Sequence, residues 1–210
     1  MNIADKLLMI AENEQRVHEA GKRAEYKAFW EANQEGGNRA HYANAYSYLG
    51  WDDTNFNPIY NIAPRTSNGI SNMFNYNQKI TNTKVNIIVN GCSARQAFAN
   101  CVSLQRIPYI EFNNCTDLYN AFLACNSLSY IRVGGVIDRS INFSSCPLDL
   151  ESAKSVIMHL KQMGELDEQY TQTVYFSEYT WGLLNNDEEG PDSTFITWRE
   201  YISDILYWNC

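Results

Sequence analysis

The sequence predicts an α+β fold with three successive parts: a long N-terminal helix that forms a coiled-coil stalk, a short solenoid of repeats, and an α/β C-terminal cap. Residues 4–34 contain no proline and keep a periodic apolar seam, as amphipathic helices do. Phenylalanine recurs every 24 residues in the middle of the chain, which is typical of stacked repeats. The repeat stops after residue 140, and segments with helical and strand patterns follow.

These patterns divide the chain into four segments. We predict a helical oligomerisation stalk, an aromatic connector that caps the first repeat, a repeat body and a C-terminal cap, at residues 1–36, 37–69, 70–146 and 147–210.

The composition argues against several classes of function. Apolar residues make up 45% and charged residues 19% of the chain, which suits a packed core. The net charge of −8 disfavours nucleic-acid binding, which needs clustered Lys and Arg. No window reaches the roughly 18 apolar residues of a membrane span, so we expect no membrane insertion. The first residues lack a secretory signal pattern, so we expect assembly in the cytoplasm.

The N-terminal segment predicts an oligomerisation helix. Five apolar residues occupy positions a and d of a heptad pattern: Ile3, Leu7, Ile10, Val17 and Ala24. Glu14 and Gly21 interrupt this seam, so a single amphipathic helix docked on the body stands as the alternative. Gly36 and Gly37 are residues of the type at which helices commonly end.

The middle of the chain carries the strongest pattern. Phe74, Phe98 and Phe122 are spaced 24 residues apart, and an aliphatic residue follows each of them six positions later. Asn77 or a cysteine follows three positions later, and a short apolar run that resembles a strand follows each unit. We predict that the following residues stack as the repeat core: Phe74, Ile80, Phe98, Cys101, Leu104, Ile107, Phe122, Cys125, Leu128 and Ile131.

The repeated motif begins with Met or Ala followed by Phe, and then has Cys, Leu and Ile, each three residues after the one before. This motif resembles the BspA-like leucine-rich repeat. This family occurs in gut-bacterial surface proteins and in phage genomes. The resemblance covers residues 70–140 and implies a leucine-rich-repeat-like body, with Asn77 and Thr83 departing from the motif in the first unit. The opening string, KLLMIAENEQRVHEAGKRAEYKAFWEANQ, resembles the N-terminus of tail- or virion-associated proteins of phages that infect gut Firmicutes. That resemblance implies a homotrimer.

The last segment predicts a terminal cap for the stack, because an open end of a repeat array must be covered. Asp149 is placed to cap a helix that ends at Gly164, and residues 171–176 alternate like a strand. Ser177 is placed to cap the next helix. A final helix should pack through Phe195, Trp198, Ile202 and Ile205.

The chemistry-bearing residues predict no catalytic, cofactor or metal site. The six cysteines form no Cys-x-x-Cys pair and the three histidines are scattered, so zinc is not expected. Free, buried thiols are expected in a chain without a secretion signal, and disulfides are the alternative. Glu111 and Asp117 could supply the two carboxylates of a glycosidase, but nothing in the sequence fixes their separation.

We therefore expect a non-enzymatic virion component, of a phage tail, baseplate or capsid fibre, that displays its repeat body for host attachment. Its expected partners are further copies of itself, other virion proteins, and a host surface glycan or protein. The alternative is a bacterial leucine-rich-repeat adhesin or protein-binding module. An enzyme is a third class with no positive signal.

Overall fold

The computed structural model describes residues 12–14, 16–17, 20–21, 24, 52–53, 61–64, 67–162, 172–187, 190–191, 197–206 and 208–210, except for the side chain of Ile205. None of the helices in these ranges is long and apolar enough to cross a membrane. The core is one continuous cluster of buried side chains that extends from Ile62 to Trp208.

Within the described ranges, five strands form two small parallel sheets. The first sheet has the order β1 (Ile87–Asn90), β2 (Arg106–Asn113), β3 (Tyr130–Gly135), and the second pairs β4 (Ile141–Phe143) with β5 (Val174–Phe176). Within each sheet, neighbouring strands belong to successive passages of the chain, and we call each passage a rung. Since every rung crosses the sheet in the same direction, all these strand pairs are parallel.

On the opposite side of each rung, a turn segment replaces the strand. These turn segments cover residues 70–76, 94–100 and 118–124. Along a turn segment, amides that donate within the segment alternate with amides that donate to the next rung. For example, Ala99 N–H donates to Gln96 O at 3.2 Å, whereas Phe98 N–H donates to Ala121 O at 2.9 Å. Two residues of each segment have left-handed φ angles between 53° and 61°, at 24-residue spacing: Asn72, Tyr76, Gln96, Asn100, Asn120 and Ala124.

A column of phenylalanine rings passes through the interior of all these rungs. Phe74, Phe98 and Phe122 stack with ring centroids 5.2 and 5.5 Å apart, as the 24-residue spacing predicts. The column continues through Phe143 and Phe176, at 4.7 and 6.2 Å. It therefore links the repeats to the C-terminal segments.

The other members of the predicted repeat core are also buried, each less than 2% exposed. The cysteine thiols donate hydrogen bonds to carbonyl oxygens of the preceding rung: Cys101 Sγ to Phe74 O and Cys125 Sγ to Phe98 O, both at 3.0 Å. These bonds hold adjacent rungs together. Thr83 occupies the place of Ile107 and Ile131 in the first unit, is fully buried, and its hydroxyl has no partner among the described residues.

The described helices are short. They are α1 (Leu150–Ile157), α2 (Glu178–Asn185) and α3 (Trp198–Glu200), and a π-helix, Tyr201–Ile205, follows α3 directly. The predicted caps are confirmed, because Asp149 accepts from the amide of Ser152 and Ser177 from that of Thr180. Helix α1 and the last helix are both shorter than predicted, since α1 ends at Ile157 and not at Gly164. In the last helix, Trp198 and Ile202 are buried, and the side chains of Phe195 and Ile205 lie outside the described residues.

Helix α1 ends the first sheet. Ser152 Oγ accepts from the amide of Ile131 and Ser155 Oγ from that of Val133, each at 2.9 Å. Two hydroxyl groups of a helix thus take the place of a fourth strand, so the edge amides of β3 are satisfied without further sheet pairing.

The predicted α+β class is wrong. The chain is a small α/β protein, in which all the strand pairs of the described ranges are parallel and the helices have at most 8 residues. The predicted solenoid is not present as one closed stack, because the strands divide into sheets of three and two at the point where α1 caps β3.

The predicted coiled-coil stalk is likewise no part of the observed fold. Of its seam, Ile3, Leu7 and Ile10 lie outside the described residues. Val17 is 65% exposed and Ala24 is also exposed, so neither side chain packs on the core. The described helical residues in this part of the chain are 12–14, 16–17, 20–21 and 24, and they do not form a long helix within the described structure.

Candidate functional site

The outward side of β2 and β3 carries a cluster of aromatic and charged side chains. We call it the Arg–Tyr face and define it by these residues: Arg106, Tyr109, Glu111, Asn113, Tyr130 and Arg132. Alternate residues of a strand point to the same side, and a register shift between Ile107 and Ile110 interrupts this alternation in β2. Ile107, Ile110 and Ile131 are therefore all buried in the core, while the residues of the Arg–Tyr face lie on the outward side.

Two arginines lie against one tyrosine at one end of this face. Arg106 and Tyr130 are opposite each other in the parallel register of β2 and β3. The guanidinium carbon of Arg106 is 3.5 Å from the Tyr130 ring centroid, and that of Arg132 is 4.7 Å away. Both distances are within the range of cation–π attraction, so Tyr130 orients both guanidinium groups.

Neither arginine forms an ion pair with a carboxylate of the described residues. Nη1 of Arg132 is shielded from solvent and also has no hydrogen-bond acceptor in that part of the chain. In a chain of net charge −8, this end of the face is therefore a local concentration of positive charge that the described fold does not neutralise.

The other end of the face carries a fixed negative charge. Glu111 accepts a hydrogen bond from the Tyr109 hydroxyl at 3.1 Å and another from the side-chain amide of Asn113. Burial, then the hydrogen bond and charge of Glu111, raise the pKa of Tyr109. The Tyr109 ring covers Gly134, where a Cβ atom would lie 1.9 Å from the hydroxyl oxygen. Glycine at this position thus lets Tyr109 lie flat on the sheet.

The carboxylates considered for a glycosidase pair lie on different sides of the rung. Glu111 belongs to the strand side, whereas Asp117 lies on the turn side and pairs with Arg95 at 3.3 Å. Each is engaged by its own neighbours, and this arrangement gives no paired acid and base.

The buried cysteines are poorly suited to nucleophilic chemistry. All six are free, and five are buried. Burial raises the pKa of Cys115 to about 11 and that of Cys101 well above the ordinary range. A side-chain hydrogen bond to Cys146, followed by burial, raises the pKa of Cys125 well above the ordinary range. A thiol that stays protonated at neutral pH is a weak nucleophile.

Within the described ranges, no group of three or more His, Cys, Asp or Glu residues lies close enough to hold a metal ion. The residues of the predicted repeat core pack together in the interior and form no site on the surface. The described residues of the predicted oligomerisation seam, Val17 and Ala24, line none of the surfaces described above.

The Arg–Tyr face was not predicted, although the sequence contains its signal. Arg106 and Tyr130 are 24 residues apart, the same spacing as the phenylalanines, and Arg95 precedes Tyr119 by the same distance. Applying the repeat period to the polar residues as well as to the core would have placed each arginine beside its tyrosine.

Comparison with known proteins adds no relative: no protein-family model, curated protein or solved structure matches the chain.

Proposed function

We propose that the chain is a non-catalytic binding protein whose Arg–Tyr face takes a carboxylate-bearing segment of a partner protein. The observation that carries this proposal is the pair of guanidinium groups stacked on Tyr130 with no carboxylate of the described fold to neutralise them. A guanidinium group matches a carboxylate with two parallel hydrogen bonds. Arginine and tyrosine also dominate the energetics of protein–protein interfaces.

The stacked body supports this function because it fixes the face in place. The interior below β2 and β3 is filled by fully buried aliphatic side chains, so these strands cannot shift without opening the core. Tyr130 and the two arginines are therefore held close to one geometry before any partner arrives. Pre-organisation of this kind lowers the entropic cost of binding.

We propose a phage particle as the setting, with the chain as a tail, baseplate or fibre component that contacts other virion proteins or the host surface. The support is the resemblance of residues 70–140 to BspA-like repeats and of the opening string to virion-associated proteins. A bacterial adhesin is the second candidate, since the same repeats occur in bacterial surface proteins. The homotrimer stays a prediction.

Binding to a peptide array in which the number and position of Asp and Glu residues vary tests the face. Acidic peptides should bind, and Arg132→Ala and Arg106→Ala should each weaken binding by roughly 10-fold, the loss of one charge-assisted bidentate contact. Arg95→Ala is the matched control, because Arg95 lies 4.5 Å from a tyrosine ring on the turn side. Binding that ignores acidic content, or an equal loss with Arg95→Ala, contradicts the proposal.

Mass spectrometry of purified particles tests the setting. A virion component should be found at a fixed stoichiometry relative to the major capsid protein after gradient purification. Its absence from particles, together with its presence on the surface of bacterial cells, would favour the adhesin.

A further inference from the structure

A groove on the turn side of the molecule lies between the turn segment 118–124 and the second sheet. It has a volume of about 180 Å³ and is lined chiefly by Leu118, Tyr119, Asn120, Ile141, Asn142 and Tyr175. Leu118 and Ile141 are buried and form its floor, whereas Tyr119 and Tyr175 are 56% and 48% exposed. Two aromatic rings thus border a small depression with an apolar floor.

The rung geometry explains why a depression forms here. Asn142 on β4 is opposite Tyr175 on β5, and the segment that contains Tyr119 lies one rung earlier, where Phe122 stacks on Phe143. One rung therefore lies between the two tyrosines. The short side chains of Ser140 and Asn142 belong to that middle rung and line the groove.

Arg95 fixes one of the two rings. Its guanidinium carbon lies 4.5 Å from the Tyr119 ring centroid, and an ion pair with Asp117 neutralises it. Arg95 belongs to the preceding rung, so it covers the side of the ring that faces away from β4. The side that borders the groove is left for a ligand.

The polar groups around the floor are amides and hydroxyls, and none of the described lining residues is charged. Asn142 Oδ1 accepts from the amide of Ser144 at 2.8 Å, which orients its side chain and leaves Nδ2 without a partner among the described residues. Ser140, also at the rim, is held by Gln172, because its N–H and hydroxyl both donate to Gln172 Oε1 at 2.7 and 3.1 Å.

We propose that this groove binds a neutral sugar ring. Aromatic faces and an apolar floor suit the C–H faces of a pyranose, while amide and hydroxyl groups suit its hydroxyls. The lack of charge in the lining disfavours phosphates, carboxylates and amines, which would lose hydration with no opposite charge to replace it. The site shares no residue with the Arg–Tyr face, so it goes beyond the proposed function and is tested separately.

The test is an amide NMR titration of the full chain with methyl β-glucoside, methyl β-galactoside and N-acetylglucosamine, and with glucuronate as a charged probe. At least one neutral sugar should shift the amides of Tyr119, Asn142 and Tyr175, and glucuronate should bind more weakly. Lactose and cellobiose show whether the groove binds a glycan chain or a free monosaccharide. A groove that binds part of a glycan chain should prefer a disaccharide to the methyl glycoside.

Variants separate ring contact from folding. Tyr175→Ala should raise the Kd of the bound sugar by roughly 10-fold, and Tyr175→Phe, which keeps the ring, should change it by much less. Tyr179→Ala is the control, since Tyr179 is 60% exposed and does not line the groove. The proposal is overturned if no neutral sugar shifts these amides, if the shifts cluster on the Arg–Tyr face, or if Phe and Ala at position 175 weaken binding equally.

Discussion

Among single residues, glycines with left-handed φ angles determine how closely the rungs approach each other. Gly135 has a φ of +73°, and a Cβ atom there would lie 2.1 Å from the carbonyl oxygen of Phe112. Gly91 has a φ of +63°, but no described atom lies within 4 Å of its Cβ position. A residue with a side chain would therefore be strained at either position, but only at Gly135 would it also collide with a neighbouring rung.

This pair gives a matched prediction for Gly135→Ala and Gly91→Ala. Gly91→Ala should cost about 1 kcal/mol of unfolding free energy, the strain of a left-handed alanine. Gly135→Ala should cost about 2–5 kcal/mol, because overpacking against a backbone carbonyl is added to that strain. Urea denaturation of both variants measures the difference, and equal losses would mean that β2 and β3 are not packed as described.

The buried thiols predict loss of stability at alkaline pH. Burial raises the pKa of Cys115 to about 11 from an ordinary value of 9.0. Because the pKa is raised in the folded state, the contribution of this thiol to stability is complete below about pH 9. It falls as the pH rises toward 11, since the thiol ionises at a lower pH in the unfolded chain than in the folded one. Unfolding free energies at several alkaline pH values should show this fall, reduced in Cys115→Ala. An unchanged pH profile in that variant would contradict the burial of the thiol.

At the scale of elements, the sequence predicted features that depend on residues close together in the chain, such as helix caps. It did not predict which distant segments stack on each other. Asp149 and Ser177 were identified as helix caps because the cap and the amide it accepts from are three residues apart. Phe143 and Phe176 were missed because they follow Phe122 and Phe143 by 21 and 33 residues rather than 24. The insertion of α1 between Phe143 and Phe176 lengthens the second of these spacings, while the ring column continues.

The end of the first sheet at α1 is testable by removing one hydroxyl group. Ser152 is fully buried, and its Oγ is the acceptor for the amide of Ile131. Ser152→Ala leaves that amide unsatisfied, so it should cost about 1–3 kcal/mol and accelerate hydrogen exchange at Ile131. Ser203→Ala is the control, since Ser203 is exposed and should change stability by less than about 0.5 kcal/mol. Slow exchange at Ile131 in the Ser152 variant would show that another group caps the edge.

At the scale of the whole molecule, the phenylalanine column makes the repeats and the C-terminal segments one unit. Phe176 continues the column, and the indole ring of Trp181 lies edge-on to it at 5.4 Å. The residues that were expected to form the C-terminal cap share one core with the repeats. This arrangement positions the Arg–Tyr face and the turn-side groove on a common frame, and the α+β class was wrong because parallel rungs continue into the last segment.

The central claim is that one continuous core carries both surfaces and unfolds cooperatively, and native-state hydrogen exchange of the full chain measures it. The amides of Phe98, Ile141 and Val174 donate to carbonyl oxygens in three successive parts of the chain that share this core. Their opening free energies should equal the global unfolding free energy, and Phe98→Ala should lower all three together by about 3–5 kcal/mol. If Val174 opens at a clearly lower free energy, or keeps its protection in Phe98→Ala, the C-terminal segments form a separate unit and the claim is wrong.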